Sequence, residues 1–265
     1  MPSTPKFFAL IDGTNPSKPA RGITYIAIGE QAGKYKRVHD VFTDGNYLMR
    51  AANVIESAIE VPGGLRVIMG ECGELNALYV PSRRAVVICH ELVAHFADHF
   101  RAKYTQNPER IGPAVVNATI FAFFHELGHA FFHIYDFPNL GSEEDAADRI
   151  AAMLLLEQGE AAAERTLEGA EGLLALAKLG AAPHWDVHGF GEQRFFNVAC
   201  LVLGALGPNA RLVGQDDFNK NRAPTCSKEH AQAARSLDRF LAPFYRKAKA
   251  KSRLEALLEP IPTKR

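Results

Sequence analysis

The 265 residues carry no surplus charge of either sign, since 30 Lys and Arg stand against 30 Asp and Glu. That balance excludes a general electrostatic pull toward nucleic acid or an anionic membrane surface. The one basic run, Arg246 to Arg253, reads as a solvated helix face. No apolar window is read as reaching the length of a membrane span, and no internal repeat marks a solenoid. No Cys-x-x-Cys occurs, so a structural zinc ribbon is excluded. The first residues, Met1-Pro2-Ser3-Thr4-Pro5-Lys6, lead into a short apolar stretch broken at Asp12. That does not read as a secretory signal, and a cytoplasmic address is the expectation.

The sequence does hold His125-Glu126-Leu127-Gly128-His129, inside a run from Ala114 to Phe132 that contains no Pro and no other charge. Such a run reads as a buried helix, apolar nearly all round. His at positions i and i+4 lie on one helix face, about 40° out of register, so both imidazoles reach one metal ion. The Glu between them falls on an adjacent face, where it takes a proton from a water that the metal activates. A buried helix has little reason to carry two His and a Glu unless they are paired or hold a metal.

Catalytic zinc takes three protein ligands and leaves a place for water. A third His three positions beyond a Gly is not available, because Phe132 and Tyr135 occupy those positions. His133 lies two turns from His125, about 12 Å along the axis, too far to share the ion. Asp136 to Gly141 is turn-like, and Ser142 then caps a new helix with Glu143, Glu144 and Asp145 in its first turn. A hairpin of two helices brings one of these carboxylates to the His pair. Glu144 is the favoured metal ligand, with Glu143 and Asp148 as alternatives. Asp148, four residues on, is placed to accept the second N–H of a ligating His. The alanines beside it suggest close helix packing.

H-E-L-G-H followed by Glu144-Asp145-Ala146-Ala147-Asp148 resembles the gluzincin pattern of zinc metallopeptidases. A closer resemblance is to an uncharacterised bacterial family assigned only as metallopeptidases. It rests on Cys72-Gly73-Glu74-Leu75-Asn76-Ala77-Leu78-Tyr79-Val80-Pro81, on Cys89-His90-Glu91-Leu92, and on H-E-L-G-H with Glu143 to Asp148. It continues through Asp186-Val187-His188, Gln193-Arg194-Phe195, Cys200 and Arg222 to Cys226, and covers roughly residues 40–245. The family pattern has an aromatic residue where this chain has His90. The resemblance implies a peptidase fold and a peptide or protein substrate, without naming one.

Strand signals come first and helices after, the order of an α+β fold. Strands are expected at Ile23–Ile28, Lys36–Phe42, Leu65–Met69, Ala77–Val80 and Ala85–Cys89, and helices at Asn46–Glu60 and Glu91–Tyr104. The expected architecture is zincin-like: a small mixed N-terminal sheet packed on the H-E-x-x-H helix, then a mainly helical C-terminal part. Residues 1–20 read as loosely ordered and 21–245 as one domain, sheet-rich over 21–90 and helical over 91–245. Residues 246–265 read as a basic helix or tail. The segment Leu75 to Cys89 is the candidate neighbour of the substrate cleft.

Cys72 and Cys89 flank a hairpin that turns at Pro81 to Arg84, and Cys200 and Cys226 lie further on. Disulfides Cys72–Cys89 and Cys200–Cys226 are plausible beside four free thiols, and would place the chain in an exported compartment. His90 and His95 are five apart and face different ways, while His95 and His99 lack an accompanying Glu. His188, next to Asp186, and Tyr79, at the sheet edge, are candidates for stabilising the oxyanion that forms on the scissile carbonyl. The expected activity is hydrolysis of peptide bonds with one zinc ion per chain, held by His125, His129 and Glu144. Glu126 is the general base. The alternatives are a zincin-fold binding module without catalysis, and a closed structural zinc site with a fourth protein ligand.

Overall fold

The computed structural model describes residues 11, 22–29, 33–157, 160–177, 191–212 and 214–246. The expectations for His188, for most of residues 1–20 and for the tail beyond Arg246 fall outside them. Four strands form one mixed sheet in the order β1-β2-β4-β3, with β1 at Ile23–Ala27, β2 at Leu65–Gly70, β3 at Ala77–Val80 and β4 at Ala85–Cys89. β1 runs parallel to β2, β2 parallel to β4, and β3 antiparallel to β4 at the edge.

The two central strands are buried along their whole length, and apart from Arg66 in β2 both read as apolar runs. Along β4 the faces alternate with the period of two that a strand dictates. Val86 and Ile88 join the main core under the helices, while Ala85, Val87 and Cys89 join a smaller core on the other side with Ile68, Cys72 and Ile11. Arg66, the second residue of β2, is buried but satisfied: its guanidinium donates to the carbonyls of Ile11 and Arg83 at 3.2 and 3.1 Å.

One strand expectation is overturned. Lys36–Phe42 is not a strand beside β1 but the body of helix α1, Lys36–Gly45. Val38 and Phe42, four apart, pack together into the core, and Lys36 pairs with Asp40 one turn on. The β-branched residues suggested alternation, but the spacing of the buried pair is helical. Asn46 ends α1 in the left-handed conformation (φ 52°) and opens α2, Tyr47–Ala58. These two helices supply the crossover that parallel pairing of β1 and β2 requires.

The elements of the remaining described residues are helical. They run through α3 (His90–Lys103), α4 (Ile111–Tyr135), α5 (Glu143–Leu156), α6 (Glu160–Ala177), α7 (Gly191–Leu206), α8 (Asp216–Asn221) and α9 (Ala223–Leu241). α4 is the central helix and packs on α3, α5, α6, β3 and β4. With its preceding turn it is long and apolar enough to cross a membrane by length and composition alone (Pro108–Tyr135, mean hydropathy 1.2). This corrects the expectation that no window reaches that length. Within the fold, 72% of the window is buried, as in a core helix.

Cys72 is disulfide-bonded to Cys89, and Cys200 to Cys226. The first bond fastens the loop after β2 to the end of β4. The second fastens α7 to α9.

His90 opens α3 and is 2% exposed. Its ring packs edge-on against His39, with centroids 5.5 Å apart, and its Nε2 has no hydrogen-bond partner among the described residues. Burial first, and then the neighbouring His39, push its pKa down to about 4 against a smaller opposing pull from Glu71. The unfolded chain takes up this proton near pH 6.5, the folded chain only near pH 4. Between those values the unfolded state binds more protons, so stability falls as pH falls. At 1.36 kcal/mol per pKa unit the loss is about 3 kcal/mol. His90→Phe is expected to remove a loss of that order from the decline, as read from urea unfolding at pH 6.5 and pH 4. An identical decline in both proteins would contradict the assignment.

Candidate metal centre

α4 carries His125 and His129 on one face, and the turn at Asp136 to Gly141 sends the chain back along it as α5. Ser142 caps α5, its hydroxyl accepting from the Asp145 amide at 3.4 Å. The two helices meet where both have almost no side chain. A Cβ on Gly128 would stand 2.9 Å from the Cα of Ala147 and 3.1 Å from its Cβ. This contact lets the first two turns of α5 reach the His pair.

Three donors converge there. His125 Nε2 lies 3.2 Å from His129 Nε2, Glu144 Oε2 lies 3.1 Å from His125 Nε2, and Glu144 Oε1 lies 3.4 Å from His129 Nε2. The set His125, His129, Glu144 has the composition and spacing to hold a metal ion. The other ring nitrogens are engaged: His125 Nδ1–H donates to Asp148 Oδ1 at 2.8 Å and His129 Nδ1–H to Glu143 Oε1 at 2.7 Å. With a proton on each Nδ1, both Nε2 lone pairs face the same point, as metal ligation requires. Of the three carboxylates considered for the third ligand, only Glu144 faces the Nε2 atoms. Glu143 and Asp148 lie behind the rings.

Burial alone would lower the His125 pKa, but the hydrogen bonds to Asp148 and Glu144 overcome it and raise the pKa to about 10. His129 is raised too, its burial outweighed by Glu144 and Glu126. Burial works against the charged forms of Glu144 and Asp148. The His125 and His129 contacts nevertheless hold Glu144 well below the usual carboxylate range, and His125 and Arg194 lower Asp148.

Glu126 is buried on the adjacent face, where its Oε2 accepts the backbone N–H of Tyr79 at 2.7 Å. Tyr79, at the sheet edge, is a sequence candidate for stabilising the oxyanion. In the fold the hydroxyl donates to His133 Nδ1 at 2.7 Å, and burial pushes its pKa up to about 12. The site contact of Tyr79 is therefore its amide, on the open edge of β3.

Arg194 has no role in the sequence reading, and Glu143, an alternative metal ligand there, takes a different one. Arg194, from α7, grips Asp148 with Nε at 2.7 Å from Oδ2 and Nη2 at 2.9 Å from Oδ1. Glu143 orients His129. A signal for Arg194 existed: a guanidinium in the first turn of a helix, against the dipole and beside Phe195 and Phe196, needs a carboxylate partner. Which carboxylate was not readable.

A family model described as "Putative metallopeptidase" (DUF4344) matches residues 29–241, and the chain belongs to that family. No curated protein and no solved structure matches it. Membership makes a metal-dependent hydrolase acting on peptides the coarse assignment.

If the Gly128 contact positions Glu144, a bulkier residue there will weaken metal binding with every ligand present. Gly128→Val is expected to lose at least about tenfold in divalent-metal affinity by competition with a chromophoric chelator, the scale of changes to residues that orient ligands. Unchanged affinity in a folded variant would show that the helix contact does not set the site.

Proposed function

We propose that the chain is a zinc-dependent peptidase of gluzincin-like, zincin-type architecture. One observation carries the reading: His125, His129 and Glu144 converge on one point while Glu126 stands beside it. An ion bound tetrahedrally at 2.0–2.1 Å separates its ligands by about 3.3 Å. The three donor pairs at 3.2, 3.1 and 3.4 Å match such a set. Two imidazoles and one carboxylate are also the donor chemistry of a catalytic site that keeps a position open, rather than of a closed structural site. When bound, zinc acidifies a water and polarises the scissile carbonyl.

Glu126 takes the proton of the attacking water and passes it to the leaving amine as the peptide bond breaks. The Tyr79 amide holds that carboxylate at a fixed height above the His pair. Asp148 keeps the proton of His125 on Nδ1, and Arg194 keeps Asp148 charged and in place. The amides and carbonyls on the outer edge of β3 are where an extended substrate backbone adds as a further strand.

Elemental analysis is expected to find about one zinc per chain in the wild type and none in His129→Ala. Glu126→Gln is expected to keep the zinc and lose at least about 10²-fold in kcat/KM on a peptide library, the scale of general acid–base catalysis. Undiminished turnover in Glu126→Gln removes the mechanism. A fully folded wild type that takes up no zinc removes the function.

A further inference from the structure

We propose that His39 and His90 form a second metal site, which shares no residue with the H-E-x-x-H centre and takes a divalent ion of the kind imidazole prefers (Zn2+, Ni2+ or Cu2+).

Two helices bring the pair together. α1 carries His39, α3 opens on His90, and the two helices pack against each other. The ring centroids lie 5.5 Å apart with the planes at 77°. The molecule supplies its own ruler for that spacing. His125 and His129, whose Nε2 atoms are 3.2 Å apart, have centroids 4.8 Å apart and planes at 84°. The His39–His90 pair has nearly the same attitude at a slightly wider spacing. The Cys72–Cys89 disulfide adds a carboxylate to the neighbourhood. Glu71 precedes Cys72 and His90 follows Cys89, so the bond draws Glu71 toward His90, and the Glu71 charge acts on that ring in favour of a cation.

The donor atoms are the second, independent observation. His90 is 2% exposed, and its Nε2 is buried with no hydrogen-bond partner among the described residues. The same holds for His39 Nδ1. Buried polar atoms are nearly always satisfied, and an orphan carries its full desolvation penalty. Two orphans on adjacent rings call for one shared partner. Both nitrogens are in the form that binds a metal. The other nitrogen of His39, Nε2, donates to the Thr43 hydroxyl at 3.4 Å, which leaves the lone pair on Nδ1. His90 stays neutral well below pH 7, because burial opposes its charged form. Two imidazoles hold an ion less firmly than the three converged donors of the first centre. The second equivalent is therefore taken up from added metal rather than retained through purification.

The test is calorimetric titration of the metal-free full-length protein with Zn2+ at neutral pH. The wild type is expected to bind two equivalents, one tighter and one weaker. His90→Phe, which keeps the ring volume, and His39→Gln should each weaken the second equivalent by more than about 100-fold, beyond the effect of removing a group that merely orients a ligand. Both should keep the first equivalent, which also shows that they are folded. His129→Ala should lose the first and keep the second. A second equivalent that survives both His90→Phe and His39→Gln overturns the inference and belongs to surface histidines. A wild type that takes up no second equivalent overturns it too, and leaves the two nitrogens to a bridging water. A single equivalent that persists in His129→Ala and disappears in His90→Phe upholds this site and removes the H-E-x-x-H centre.

Discussion

The separation of α4 and α5 at Gly128 and Ala147 governs the metal centre. Packed helices with ordinary side chains stand 8–10 Å apart. A Glu carboxylate reaching across that gap would meet the His pair only at its limit of extension. With Gly on one helix and Ala on the other, the backbones approach until a single added methyl would collide. Glu144 and Asp148, one turn apart, then straddle His125 and meet both of its ring nitrogens. The same contact explains the residues flanking the candidate ligands: Gly128 and Ala147 set the approach of the two helices, though neither contributes a donor.

The charge inventory points the same way. Glu126, Glu144 and Asp148 bring three carboxylates into a largely buried volume, and Arg194 is the guanidinium that faces two of them. With neutral imidazoles this leaves an excess of two negative charges, which burial makes costly. A divalent cation cancels that excess. In its place, protons held on His125 and His129 cancel it, and this is the physical content of their raised pKa values. A divalent cation bound at these imidazoles would have to displace protons, so its affinity would rise with pH.

Local features were legible in the sequence and distant ones were not. The spacing of His125 and His129, the Ser142 cap and the acidic first turn of α5 are all events within a few residues, governed by helix geometry. The apolar runs of β2 and β4 likewise declared buried strands. Lys36–Phe42 misled because Val38 and Val41 favour strands locally, while the deciding interaction is the packing of Val38 and Phe42 against a core assembled from elsewhere. Arg194 and Asp148 are 46 positions apart, and the Tyr79 amide and Glu126 are 47 apart. A backbone N–H carries no sequence signature, so that contact had none to read. A membrane-length window in α4 was missed because a helix built to hold His and Glu in a core has nearly the composition of a span.

The role of the sheet follows from that last contact. β3 is short and sits at the edge, with β4 as its strand partner. Its register is held from behind. The Cys72–Cys89 disulfide ties the loop leading toward it to the end of β4, and the Glu91 carboxylate accepts the amides of Cys72 and Gly73 at 3.1 and 2.7 Å. The Cys89 amide donates to the Asn76 carbonyl just before β3 begins, and the Tyr79 hydroxyl pins the strand to α4 through His133. A slip of one residue in this pairing would exchange the strand's faces and carry the Tyr79 amide away from Glu126. The covalent and polar anchors around β3 thus maintain a register whose output is one hydrogen bond to Glu126, and the same register presents the open strand edge beside it.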